Sequence, residues 1–168
     1  GVGAERGLGA TLCRRFAKAG LHVFIGGRTL ERIEALAELI RGEGGEATAV
    51  KADATSEKSA IDFFALAEEA GAIDLAVYNA GNNMPGDLLK MEADYFERCW
   101  RVGCYGGFLF GREAERTLLP RERGTLIFTG ACASMRGRPF FSAFTAAKGG
   151  LRNFAQSMAR EFGPRGLH

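Results

Sequence analysis

The chain has 168 residues, of which 46% are apolar and 25% are charged, and its formal net charge is +2. This composition excludes a disordered chain. A charge so close to neutral, with no run of basic residues, gives no support for a nucleic-acid-binding protein. We expect one domain over residues 1–168, since domains commonly span roughly 100–200 residues.

The cysteines predict free thiols. They show no C-x-x-C spacing, and His22 and His168 are the only histidines available to join them in a metal site. We therefore expect no disulfide framework and no metal, which is typical of a cytoplasmic protein. No apolar run approaches ~18 residues, so we expect no membrane partner. The cysteines are Cys13, Cys99, Cys104 and Cys132.

The first part of the chain alternates helices and strands. A helix is predicted from residue 8 until Gly20 ends it, with apolar residues at helical spacing. Residues 22–25 form an apolar run typical of a parallel strand that is buried on both faces. Residues 30–40 predict a second helix, and residues 47–52 predict a weak strand. The apolar residues of the first helix are Leu8, Leu12, Phe16 and Ala19.

The second part continues the alternation. Residues 57–70 predict a helix, residues 73–78 a strand, and residues 93–119 one long helix. Residues 125–129 predict another strand, and residues 143–162 a last helix. Alternating strands and helices predict a doubly wound α/β architecture, in which helices cover both faces of a parallel sheet.

A glycine-rich segment precedes the first helix. Residues 3–9 read Gly-Ala-Glu-Arg-Gly-Leu-Gly. Backbone N–H groups at such a helix start can bind a pyrophosphate, because glycines leave no side chain in the way. On its own the pattern is equally compatible with a purely structural turn.

Two further segments give this pattern a context. Asn79, Ala80 and Gly81 follow a predicted strand, and residues 144–148 read Phe-Thr-Ala-Ala-Lys. With residues 3–9 they resemble the short-chain dehydrogenase/reductase family, which carries a Gly-x-x-x-Gly-x-Gly loop, an Asn-Ala-Gly turn and a Tyr-x-x-x-Lys pair. The resemblance covers essentially the whole chain. It implies a Rossmann-like fold and the NAD(P)-dependent interconversion of carbonyls and alcohols.

The end of the second predicted element favours NADP(H) as the cofactor. The resemblance places an acidic residue there in NAD-binding members, and this chain has Gly27 and Arg28 instead. Arg28, together with Arg6 of the glycine loop, can bind a 2′-phosphate. The alternative is that both arginines are simply solvated.

The resemblance assigns the remaining cofactor contacts. Asp53 corresponds to the residue that contacts the adenine amine, although it could equally be a turn or N-cap residue. Lys148 corresponds to the lysine that binds the nicotinamide ribose, the alternative being a lysine that reaches solvent. The implied cofactor-binding residues are Gly3, Arg6, Gly7, Leu8, Gly9, Arg28, Asp53, Ala54, Asn79, Ala80, Gly81 and Lys148.

The catalytic positions of the family are mostly substituted. The tyrosine position is Phe144, the serine position is Ala131 and the asparagine position is Gly103, so Lys148 alone remains of the catalytic four. Phenylalanine and alanine have no proton to donate. The function is thus either an NADP(H)-dependent oxidoreductase with a degenerate tetrad or a catalytically inactive NADP(H)-binding subunit. The candidates for a stand-in proton donor, for each of which a structural role is the stronger explanation, are Tyr78, Tyr105, Cys132, Ser134 and Ser142.

Two expectations concern what surrounds these residues. A dinucleotide loop normally follows a buried strand, and residues 163–168 resemble a turn into a further strand, so we expect a sheet that is incomplete at both ends and open at its centre. Four glycines in residues 93–119 predict a close backbone approach. The resemblance makes residues 93–119 and 143–162 a subunit interface of an oligomer, the alternative being tight packing within one chain. The glycines are Gly103, Gly106, Gly107 and Gly111.

Overall fold

The computed structural model describes Val2, residues 7–81 and residues 83–168, so the predicted cofactor residues Gly3 and Arg6 lie outside the described residues. Helices and strands alternate along the chain, as predicted. The helices are α1 (Leu8–Lys18), α2 (Leu30–Gly42), α3 (Glu57–Ala70), α4 (Ala93–Trp100), α5 (Gly106–Leu118) and α6 (Ser142–Phe162). The strands are β1 (His22–Gly27), β2 (Glu46–Lys51), β3 (Leu75–Tyr78) and β4 (Thr125–Phe128).

The strands form two parallel ladders. β1 pairs with β2, with His22 opposite Glu46, and β3 pairs with β4, with Leu75 opposite Thr125. Parallel pairing confirms the predicted α/β architecture. A cleft of about 680 Å³, lined by residues of β1 and β3, separates the two ladders. The part of the cleft between β1 and β3 is where the sequence predicts an open centre of the sheet, and the part at the carboxyl ends of the strands is lined by the predicted cofactor residues.

Residues at the end of the chain pair with β4. Leu167 forms a parallel bridge with Gly124, and His168 N donates to Gly124 O at 3.1 Å. The backbone N–H of Leu126 in turn donates to His168 O at 2.6 Å. The turn over Gly163–Arg165 therefore leads back to the sheet, as residues 163–168 predicted.

Helices lie on both faces of the β1–β2 ladder. A Cβ added at Gly26 would lie 3.1 Å from the ring of Phe63 in α3, and one added at Gly27 would lie 2.8 Å from Ile33 in α2. Because successive residues of a strand face opposite sides, α2 and α3 cover opposite faces. The two glycines let both helices approach the strand closely.

The apolar residues of α1 lie on two different faces of the helix. Ala10 and Ala17 lie in the core cluster with Ile25 and Ile33, whereas Leu8 is 55% exposed. Leu8, with Leu12 and Phe16, lines the cleft. The periodicity located the helix correctly, but its large apolar residues face the cleft and its alanines fill the narrow space against α2.

The predicted long helix is interrupted. Residues 101–105 form one π-helical turn between α4 and α5, and a 3₁₀ turn over Leu119–Arg121 follows α5. A π-turn accommodates one additional residue per turn, which hydrophobic periodicity over residues 93–119 does not reveal. The hydroxyl of Tyr78, at the end of β3, donates to Val102 O of this turn at 2.6 Å.

The glycines of this helix pack inside the chain. A Cβ at Gly103 would lie 2.7 Å from Ala147 Cβ, and one at Gly106 would meet the Tyr78 hydroxyl and lie 2.6 Å from Ala54 O. Added Cβ atoms at the other two would contact Leu151 and Phe128. These contacts support the alternative of tight packing within one chain, and the glycines therefore give no evidence for a subunit interface. Among the described residues, no helix is long and apolar enough to cross a membrane.

Candidate cofactor and catalytic site

The start of α1 presents backbone donors to the cleft. Gly7 is the N-cap, in an extended conformation (φ −82°, ψ 165°), and no side chain in the described part of the chain caps the helix. Gly7, Leu8 and Gly9 all line the cleft. The first N–H groups of a helix lack intrahelical acceptors and carry partial positive charge, so this end suits an anion.

Arg28 and Asp53 lie side by side at the carboxyl ends of β1 and β2. The N–H of Ala52 donates to Gly27 O at 2.9 Å, which holds the two strand ends together. Asp53 Oδ1 accepts from both the N–H and the hydroxyl of Thr55, each at 2.8 Å. These hydrogen bonds, the backbone one first, and the nearby charge of Arg28 lower the pKa of Asp53.

The environment of Asp53 decides between its alternatives. Its hydrogen bonds to Thr55 show that it holds a turn, while the N-cap of α3 is Ser56, whose hydroxyl accepts from Ser59 N at 3.3 Å. Asp53 is therefore a turn residue and not the N-cap. Its side chain is exposed and lines the cleft, so the turn leaves it available to a ligand.

The turn after β3 joins the cleft to the lysine. Asn79 Oδ1 accepts from the hydroxyl of Thr129 at 2.8 Å, and Thr129 N donates to Tyr78 O at 2.9 Å. Asn79, Ala80 and Gly81 line the cleft. A Cβ at Gly81 would lie 3.7 Å from Lys148 Nζ. Gly81 therefore lies between the predicted cofactor residues of the cleft and Lys148.

Lys148 is buried at the meeting point of α6, α4 and the end of β4. It is 5% exposed, and its Nζ donates to Thr129 O at 2.7 Å. The alternative in which this lysine reaches solvent is wrong, since the ammonium is held against the carbonyl. Desolvation lowers the pKa of Lys148, and the negative charge that Cys99 carries only as a thiolate would oppose that shift.

The three substituted positions lie in α6, the helix that carries Lys148, or in and beside turns that pack against it. Phe144 packs against the buried cluster of Cys99, Ala143 and Ala147. Gly103 has no space for a side chain, because Ala147 occupies the position of its Cβ. Ala131 leads into a 3₁₀ turn over Cys132–Ser134. The ring of Phe144 and the methyl group of Ala131 can exclude water but cannot donate a proton.

The structure shows the surroundings of each candidate for a stand-in proton donor. The hydroxyl of Tyr78 donates to Val102 O, and burial, aided by the charge of Asp53, raises the pKa of Tyr78. Ser134 Oγ donates to Ala131 O at 2.7 Å, and Ser142 Oγ lies 3.9 Å from Met91 Sδ. Tyr105 stacks on Trp100, with ring centroids 6.1 Å apart. Cys132 is exposed. None of these contacts directs a proton toward Lys148.

The sequence did not identify two neighbours of Lys148. Thr129 acts through its carbonyl oxygen, a role that any residue type can fill and that sequence therefore cannot reveal. Cys99 is 1% exposed and interacts with Lys148. A signal for it existed, since Cys99 lies four residues before Gly103 and so on the same helical face.

The residues present fit a dinucleotide. Uncapped N–H groups at the start of α1 suit a pyrophosphate, and the exposed Arg28 suits a further phosphate. Gly81 lies beside the buried ammonium of Lys148, which can donate to ribose hydroxyls. The start of α1, Arg28 and Gly81 border one cleft, so a single elongated ligand could contact all three and reach Lys148 beside Gly81.

Comparison with known proteins supports this fit. The sequence model of the family described as "short chain dehydrogenase" matches residues 2–168. Gluconate 5-dehydrogenase of Gluconobacter oxydans is 30% identical over 167 residues, which cover 99% of this chain and 65% of that protein. This chain thus spans about two thirds of the length of that relative.

Solved structures agree. The crystal structure of a short-chain dehydrogenase from Rhodopseudomonas palustris is 37% identical, with a TM-score of 0.91, over 95% of this chain and 75% of that one. A gluconate 5-dehydrogenase from Burkholderia cenocepacia J2315, crystallised with NADP and tartrate, is 29% identical with a TM-score of 0.91. That match covers 99% of this chain and 66% of the other.

Proposed function

This chain belongs to the short-chain dehydrogenase family, and from that premise we propose that it is an NADP(H)-dependent oxidoreductase that interconverts a carbonyl and an alcohol. The position of Gly81 is the observation that supports this most strongly. Gly81 lines the cleft of the predicted cofactor residues, and its Cβ position is 3.7 Å from Lys148 Nζ. A cofactor in the cleft would therefore end beside the one remaining catalytic residue.

In this proposal each part of the cleft binds one part of the cofactor. The start of α1 binds the pyrophosphate, Asp53 contacts the adenine, and Lys148 holds the nicotinamide ribose. Arg28 supports NADP(H) over NAD(H), because a guanidinium can bind the 2′-phosphate and Gly27 offers no carboxylate to a 2′-hydroxyl. The related Burkholderia structure, which contains NADP, is consistent with this choice.

The bound cofactor supplies hydride, and the chain supplies a site that excludes water and places a cation near the substrate oxygen. Phe144 and Ala131 form apolar surface there, whereas Lys148 carries the only charge of the four catalytic positions. A positioned acid or base typically contributes ~10²–10⁴ in rate, so the loss of the tyrosine predicts slow turnover.

A second function is favoured by the same substitutions. A subunit that binds NADP(H) without chemistry, and that stabilises or regulates a partner of the same fold, needs the cleft but not the proton donors. The packing of Gly103 against Ala147 supports it, because no side chain could be restored there without moving α6.

We further propose a homo-oligomer in the cytoplasm, formed through residues 93–119 and 143–162. Phe96, Trp100 and Phe108 are each more than a third exposed on this surface. Trp100→Glu should convert an oligomer into monomers, as measured by light scattering after gel filtration. An unchanged mass for that variant, or a monomeric wild type, would refute this surface.

Two measurements on the full-length protein separate the two functions. The first is the affinity for NADPH and for NADH, and the second is turnover over a panel of ketones, aldehydes and keto acids that includes 5-ketogluconate. Tighter binding of NADPH with measurable turnover supports the oxidoreductase. Binding without turnover supports the inactive subunit, and the absence of binding contradicts both.

A further inference from the structure

The loss of the tyrosine leaves Lys148 as the only one of the four catalytic positions whose side chain has a transferable proton. Lys148 is held rigidly, since Nζ donates to Thr129 O at 2.7 Å and the side chain is 5% exposed. An ammonium carries three N–H donors, so the bond to Thr129 leaves two others. Gly81, which lines the cleft, lies beside this ammonium, since its Cβ position is 3.7 Å from Nζ.

We infer that Lys148 is itself the proton donor and acceptor of this enzyme, acting directly on the substrate oxygen as well as holding the cofactor. The inference rests on the proposed oxidoreductase function. It replaces a two-residue arrangement, in which a lysine assists a phenol, by a single residue. Phe144 occupies the phenol position and cannot take part in the proton transfer.

The surroundings of Lys148 suit this role. Phe144 lies one helical turn before it on the same face of α6 and packs against Cys99, Ala143 and Ala147. An apolar ring solvates an ammonium poorly, and burial lowers the pKa of Lys148 toward the range in which an acid and its conjugate base are both accessible.

The titratable group that faces Lys148 among the described residues is Cys99 of α4. Burial raises the pKa of the Cys99 thiol, with the charge of Lys148 opposing that shift. The thiol therefore remains neutral near pH 7 and is not a fixed counter-ion. From β4 and the turn after β3, Lys148 is faced by the backbone of Thr129 and by Gly81, which do not titrate.

When bound, the cofactor would supply hydride to the carbonyl carbon, so that a C–H bond breaks on the cofactor and a C–H bond forms on the substrate. The C=O π pair moves to oxygen, and that oxygen takes a proton from Lys148 Nζ. An O–H bond forms and an N–H bond breaks, the carbonyl is reduced to the alcohol, and the nicotinamide is oxidised. Lys148 is left as a neutral amine and regains a proton from water. In the reverse direction the neutral amine accepts the proton of the alcohol.

The test uses Lys148→Arg in the full-length protein, because arginine keeps the charge and the donors but stays protonated at every accessible pH. At saturating NADPH we expect kcat for carbonyl reduction to fall ~10²-fold or more. The decline of the wild-type rate at high pH, where Lys148 loses its proton, should disappear with it. Lys18→Arg, an exposed lysine at the end of α1, is the matched control and should leave kcat and the pH profile unchanged.

A second measurement does not depend on activity. The NMR signals of lysine Cε–H groups are followed with pH in the protein without cofactor, and the signal of Lys148 is the one missing in Lys148→Arg. We expect its midpoint below that of an unperturbed lysine side chain, because burial lowers the pKa of Lys148. A Lys148 that titrates like an unperturbed lysine overturns the inference.

The outcomes distinguish this inference from the proposed function. A Lys148→Arg variant that keeps the wild-type kcat and pH profile overturns the role of Lys148 and leaves the NADP(H)-dependent oxidoreductase standing. A wild type that binds NADPH but shows no turnover at any pH overturns both and supports the inactive subunit.

Discussion

The two sides of the cleft differ in which of the family's functional groups they contain. On the cofactor side, the start of α1 and the ends of β1 and β2 provide backbone donors, Arg28 and Asp53. On the proposed catalytic side, α6, the π-helical turn after α4 and the segment after β4 provide Phe144, Gly103 and Ala131 beside the charged residue Lys148. Binding a dinucleotide depends largely on backbone geometry and charge, whereas proton transfer depends on particular side chains. One side can therefore lack the side chains for proton transfer while the other side still contains the groups that bind a dinucleotide.

The largest effect should come from restoring the catalytic side. Phe144→Tyr with Ala131→Ser places a phenol one turn before Lys148 and a hydroxyl opposite it. We expect carbonyl reduction to accelerate by an order of magnitude or more, within the ~10²–10⁴ range of general acids. The measurement is kcat at saturating NADPH over the substrate panel.

Phe162→Tyr, at the far end of α6, is the control for adding a phenol elsewhere and should not change the rate. A double variant that binds NADPH but stays as slow as the wild type would show that the catalytic side differs in more than its proton donors. The inactive subunit would then be the better description.

Gly106 tests the point at which the two sides meet. An added Cβ there would meet the hydroxyl of Tyr78 and lie 2.6 Å from Ala54 O, so Gly106→Ala forces both sides apart. We expect a loss of about 3 kcal/mol in the free energy of unfolding, at the upper end for overpacking. Urea unfolding monitored by circular dichroism gives the value.

The matched control is Gly149→Ala in α6, where an added Cβ meets nothing within 4 Å. Replacing an unconstrained helical glycine should stabilise the protein by up to ~1 kcal/mol. Equal effects of the two substitutions would refute the close packing described for Gly106.

Arg28→Ala tests the cofactor side, and its expected effect is smaller. We expect the affinity for NADPH to fall by roughly 1–3 kcal/mol, the scale of hydrogen bonds to charged groups, while the affinity for NADH changes little. Arg15→Ala, an exposed arginine of α1, is the control for the loss of one positive charge. Equal losses for both cofactors would place Arg28 away from the 2′-phosphate.

The smallest effect concerns Asp53. Its pKa is lower in the folded protein than the unfolded value near ~3.9, so its charged form stabilises the fold. That contribution is present above about pH 4 and is lost as the pH falls through the folded pKa. The difference in Tm between wild type and Asp53→Asn should therefore be constant at neutral pH and shrink below about pH 4. A difference independent of pH would show that the carboxylate charge contributes nothing.

Sequence alone predicted the elements well because their signals are local. The apolar spacing of Ile33, Leu36 and Ile40 located α2 and its buried face, and all three are buried. The π-turn at residues 101–105 was missed, because it depends on contacts with Tyr78 and Ala147 that are distant in sequence.

The site was predictable only in part. Motif spacing located Lys148 and the turn at Asn79, but not the partners of the lysine, because Thr129 acts through its backbone. The glycines of the long helix show the opposite limit. Their composition predicts a close approach, and only the fold shows that Ala147, Tyr78 and other residues of the same chain make that approach.

We propose that a cofactor bound on the cofactor side of the cleft places its nicotinamide ribose at Lys148 on the catalytic side. A crystal structure of the full-length protein with NADPH tests it directly. We expect the 2′-phosphate at Arg28 and the pyrophosphate at the start of α1. We expect the nicotinamide ribose at Lys148 Nζ, with Phe144 beside the nicotinamide. A dinucleotide bound with its nicotinamide away from Lys148, or a 2′-phosphate that makes no contact with Arg28, would contradict it.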